Sequence, residues 1–72
     1  MPKQPVLKPR EIIKVLEKIG FVLYRQKGSH CLFVKDDKIV TVPFHNKDLK
    51  PKTLKTIIKQ AGVTVEELIK LK

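Results

Sequence analysis

Two tight-turn dipeptides, Gly28-Ser29 and Asp36-Asp37, bracket the six residues His30 to Lys35. A stretch that short between two turn signals suits a strand and is too brief for an ordinary helix. Phe21 to Lys27 leads into the first turn, and Lys38 to Val42 leaves the second and ends at Pro43. Both are rich in residues that suit a sheet. Two-residue turns join antiparallel neighbours, so the middle of the chain predicts three antiparallel strands in sequence order.

The flanks carry a different period. Lys8-Pro9 opens a helix, because proline is well tolerated at the first helical position, and Glu11 suits the positive end of its dipole. Ile12, Ile13, Leu16 and Ile19 follow helical spacing, and Gly20 stops the helix. Phe44 to Lys50 reads as a loop. A second helix runs from Pro51 to Ala61, with Leu54, Ile57, Ile58 and Ala61 on one face and Gly62 at its end. Thr64 and Glu67 have the spacing of a capping box for a short last helix whose Leu68, Ile69 and Leu71 dock on the core. Met1 to Leu7, with two prolines, reads as a loose N-terminal arm. At 72 residues the chain makes one domain over 1–72. The fold class is α+β, with one three-stranded sheet covered by helices on one face.

The turns also set which side chains share a face. With two-residue loops, Lys27 lies opposite His30, Gln26 opposite Cys31, and Arg25 opposite Leu32; Leu32 then faces Thr41, Cys31 faces Val42, and His30 faces Pro43. Opposed residues point to the same side of a sheet. One side then carries Val22, Tyr24, Cys31, Phe33, Val40 and Val42, and is assigned to the helices. The other carries a cationic end of Arg25, Lys27, His30 and Thr41 and an apolar end of Leu23, Leu32, Val34 and Ile39. A one-residue slip in either turn would change this assignment.

Charge narrows the partners. Sixteen Lys and Arg against seven Asp and Glu give a net charge of +9. That balance suits a polyanion such as RNA, DNA, an acidic protein or an anionic surface, or simply a solvated lysine face. No apolar run is long enough to span a bilayer, and no signal-peptide core is present. The single cysteine, Cys31, cannot form an internal disulfide, and a reducing cytoplasm is the expected compartment.

His30 and His45 fall near one end of the predicted sheet, since His45 lies two residues beyond Pro43. Histidine can serve as either acid or base near neutral pH, and lysines and backbone N–H groups can stabilise charge on a phosphate. That set suits RNA cleavage, in which the 2′-OH attacks its own phosphate. By spacing alone a single strand histidine fits a structural role as well. Cys31 is adjacent to His30 on the same strand, so the two point to opposite faces, and a buried, inert thiol is expected. His30, His45, Asp36 and Asp37 match no closed metal site. No metal and no cofactor are predicted.

Taken together, Gly20-Phe21, Arg25-Gln26-Lys27-Gly28-Ser29-His30, Val42-Pro43-Phe44-His45, Leu49-Lys50, Thr53-Leu54 and Ile57-Ile58-Lys59-Gln60-Ala61-Gly62 resemble HicA-type toxins, also described as YcfA-like mRNA interferases. The resemblance covers about Lys8 to Leu68. It implies an α-β-β-β-α fold like a double-stranded-RNA-binding domain, ribonuclease activity on messenger RNA with growth arrest, and neutralisation by a HicB-type antitoxin, with oligomers formed as the toxin–antitoxin complex. The family's key histidine, in its Gly-Ser-His motif, corresponds to His30. Arg25, Lys27, Gly28, Ser29, His45 and Lys52 are the accompanying candidates for RNA contact. Lys52 stands where family members often have glycine before the Thr-Leu of the second helix. The competing readings are a non-catalytic RNA-binding module and an interaction protein whose basic face binds an acidic partner.

Overall fold

The computed structural model describes residues 5–72. Its order is α1 (Pro9–Lys18), β1 (Val22–Lys27), β2 (His30–Lys35), β3 (Lys38–Pro43), α2 (Pro51–Ala61) and α3 (Val65–Leu71). The strands form one antiparallel sheet in the order β1-β2-β3. This is the expected α+β architecture with an α-β-β-β-α core. No helix among the described residues is long and apolar enough to cross a membrane.

Local chemistry sets the element ends. The Lys8 N–H donates to Glu11 Oε1 at 2.9 Å, which satisfies a donor left over at the start of α1. Gly62 caps α2 in the left-handed region at φ 74°, and its N–H donates to the Ile58 and Lys59 carbonyls. The capping box before α3 is present: Glu67 N–H donates to Thr64 Oγ1 at 3.1 Å, and Thr64 N–H donates to Glu67 Oε1 at 3.2 Å. Gly28 takes φ 59° at the first position of its turn, a conformation that glycine adopts without Cβ strain.

One core forms between the helices and one face of the sheet. Ile12, Val15 and Leu16 of α1 and Leu54, Ile57, Ile58 and Ala61 of α2 pack with Cys31, Phe33, Val40 and Val42. Both α1 and α2 contact β3, whereas α3 rests on α1. There the Lys18 ammonium donates to the Leu71 carbonyl at 2.9 Å. Leu68 is buried and Leu71 packs against the core, but Ile69, expected to dock with them, is largely exposed. A seven-residue helix presents only about two turns, and Ile69 falls on its outer side. The last helix therefore leaves the open face of the sheet uncovered.

Two further expectations are corrected. Residues 1–4 of the predicted arm lie outside the described residues, but Leu7 is fully buried and its carbonyl accepts from Leu49 N–H at 2.8 Å. The arm is therefore anchored by the time it reaches Leu7. The second correction is on β1. Leu23 pairs with Phe33 and Arg25 with Leu32, leaving Tyr24 as an extra residue in a β-bulge. Val22 therefore pairs with Val34 on the open side, while Leu23 moves to the side of Phe33. Val22 and Tyr24, assigned to the helix side, are 60% and 69% exposed. Edge strand β1 is exposed along its whole length, and the sheet residues buried in the core come from β2 and β3.

Candidate RNA-facing site

The pairing beyond the bulge follows the turn geometry. Lys27 faces His30, Gln26 faces Cys31, Arg25 faces Leu32, Leu32 faces Thr41, and His30 faces Pro43. Since opposed residues share a side, Arg25, Lys27, His30, Leu32 and Thr41 gather on the open face. They line one shallow depression of about 230 Å³. His30 is exposed, and so are Arg25, Lys27 and Thr41; Leu32 supplies a half-buried floor.

The imidazole thus sits on a rigid strand rather than in a loop. Two permanent cations, Arg25 and Lys27, come from the neighbouring strand. Such a basin favours a polyanion. A strand-borne group is also held more firmly than a loop-borne one. Gly28 and Ser29 form the turn that places His30 at the start of β2. The turn is itself braced, because the Ser29 carbonyl accepts a hydrogen bond from Phe44 N–H.

Cys31 projects to the opposite face, into the core, and is buried with a free thiol. The thiol therefore does not face His30. Among the described residues, no three His, Cys, Asp or Glu side chains stand together as a metal site.

The other sequence candidates divide. His45 is exposed in the loop after β3 and lines a separate depression of about 250 Å³ with Lys8, Arg10, Phe44 and Asn46. The structure brings His45 to the same end of the sheet as His30 but not into the same basin. Lys52 is exposed in the first turn of α2 and lines neither depression. Sequence reasoning missed Lys8, Arg10 and Asn46 as site residues, and carried Phe44 only as part of a loop and of the Val42-Pro43-Phe44-His45 motif. Nothing local marks them. They meet because α1 begins beside the loop that follows β3.

The model of the family described as HicA toxin of bacterial toxin-antitoxin matches residues 9–63. That span runs from the start of α1 through α2 and past Gly62. The chain belongs to the HicA toxin family. Membership makes it a toxin of a toxin–antitoxin pair and implies an antitoxin partner. No match was found among curated proteins. In this HicA-family chain the matched span contains the whole open-face basin, including Arg25, Lys27, His30 and Thr41.

Proposed function

We propose that this toxin acts as an endoribonuclease on messenger RNA, with His30 as the proton-transfer residue. The observation that carries the reading is the exposed His30 imidazole in one depression with Arg25 and Lys27. A ribose-phosphate linkage laid in that basin puts its phosphate against two cations. The 2′-oxygen attacks phosphorus and loses its proton to a base. The bond to the 5′-oxygen breaks, and that oxygen takes up a proton from an acid. The products are a 2′,3′-cyclic phosphate and a free 5′-hydroxyl. His30 performs one of these transfers; Arg25 and Lys27 stabilise the charge that builds on the phosphate. Gly28 and Ser29 hold the turn so that the backbone there can approach the strand. No resident metal or cofactor is assigned a step.

The antitoxin, of the HicB type by family resemblance, covers the same basin. A partner with acidic groups facing Arg25 and Lys27 would be drawn to it quickly by opposite charge, and RNA would be shut out for as long as it stayed bound.

The test is a cleavage assay on single-stranded RNA in the presence of a chelator. Wild-type protein is expected to cut, and folded His30→Ala to lose about 10²–10⁴-fold in rate. Equal cutting by both proteins removes His30 from the chemistry. Intact RNA bound tightly by wild-type protein would instead make this a binding module.

A further inference from the structure

The second depression, at the same end of the sheet, takes no part in the cleavage chemistry. It is lined by Lys8, Arg10, Phe44, His45 and Asn46, and has a volume of about 250 Å³. We propose that it is a nucleotide subsite, taking one unpaired base on the Phe44 ring and the adjoining phosphate between Lys8 and Arg10. The inference rests on the RNA-cleaving reading and adds to it a place where the substrate is held beyond the scissile linkage.

Three observations carry it. First, Phe44 is 48% exposed although it is a large apolar side chain. Phe44 lines both the basic depression and a neighbouring groove that it shares with Ile13, Glu17, Leu23, Gln26, Cys31 and Phe33. A ring held in this way and left half open is a stacking platform, and every base has a face to offer it. Second, the lining carries two permanent cations, an imidazole and an amide, with no carboxylate among them. Glu11, next to Arg10 in the chain, is engaged at the Lys8 N–H. Cations with an exposed aromatic ring are the combination that holds single-stranded nucleic acid. The Asn46 amide can both donate to and accept from a base edge.

Third, the two depressions are joined by the backbone. His30 pairs with Pro43 across the ladder, and Phe44 is the next residue, with its N–H bonded to Ser29 of the turn before His30. Consecutive Cα atoms are about 3.8 Å apart, so the ring starts one residue from the partner of His30. A strand of RNA leaving the open-face basin passes around the Gly28-Ser29 end of the sheet and meets Phe44. A protein partner is the less favoured occupant, because the lining is mostly polar and the area small beside an ordinary protein interface.

The experiment measures binding of a short single-stranded RNA whose 2′-oxygens are methylated, so that it is held but not cut. Cleavage of unmodified RNA is followed in parallel. Phe44→Leu keeps an apolar side chain but loses the ring, and is expected to weaken binding by about 5- to 150-fold, the effect of losing one stacked base. Phe44→Tyr should restore it. Arg10→Gln should lower the slope of log affinity against log salt by about 0.7, one phosphate contact on a single strand. If the wild type binds RNA but Phe44→Leu and Arg10→Gln match it in affinity and slope, the subsite is overturned while the nuclease assignment stands. The subsite is equally overturned if these variants lose only an acidic protein partner. If wild-type protein neither binds nor cuts RNA, the nuclease assignment itself fails and takes the subsite with it.

Discussion

Lys27 and His30 face one another across the β1–β2 ladder, separated along the chain only by the Gly28-Ser29 turn, and both emerge on the face that the helices leave open. A tight hairpin is thus enough to fix a cation beside an imidazole. Neither side chain depends on a distant element for its position, so the pair can be altered without disturbing the core.

Lys27→Gln is therefore expected to leave the melting temperature nearly unchanged and to weaken RNA binding. The slope of log affinity against log salt should fall by about 0.7 for the lost phosphate contact. Titrations at several salt concentrations check this; an unchanged slope would place Lys27 outside the RNA path.

Cys31→Ala should retain wild-type cleavage. The thiol is buried on the side opposite His30, in contact with the core rather than with the basin. Loss of cutting in a variant that still folds, followed by circular dichroism, would bring the thiol back into consideration as a nucleophile.

Leu54 is fully buried in α2 against the sheet. Leu54→Ala is expected to cost about 2–5 kcal/mol through lost transfer energy and the cavity left behind. In a domain of this size that is a large part of the total stability, and urea denaturation with and without the antitoxin would measure it. The antitoxin should recover part of the loss, because it binds the folded form.

Gly62→Ala tests the cap of α2. At φ 74° an alanine is strained, and its Cβ would lie 3.1 Å from Lys38 Nζ, an atom at the end of a flexible side chain that can move aside. The backbone penalty then dominates, at about 1–2 kcal/mol. Each kcal/mol is worth roughly 4–8 °C in melting temperature for a domain this small. Asparagine, which tolerates the left-handed region better, should cost less than alanine.

Much of this architecture could be read from residue order alone. The Gly28-Ser29 and Asp36-Asp37 turns leave no slack, so the pairings of Lys27 with His30, Leu32 with Thr41 and His30 with Pro43 followed from counting. The helical stripes of α1 and α2 and the Thr64–Glu67 cap were equally local. Family membership was legible for a related reason: its motifs are short, local and fall in order along the chain, from Gly20-Phe21 through the Gly28-Ser29-His30 turn to the end of α2.

What tertiary structure decided was the bulge at Tyr24, the burial of Leu7 and the meeting of Lys8 and Arg10 with Phe44. Val22, Leu23 and Tyr24 suit either face of a sheet equally well, so their own chemistry did not choose between an even ladder and one with an extra residue. In the folded chain Leu23 lies on the side of Ile13 and Phe33 and Val22 on the open side, and both stay exposed. Short-range signals set turns and periods because they act within a few bonds. Which distant surfaces come together depends on how the whole core closes, and no local stretch of this chain carries that information.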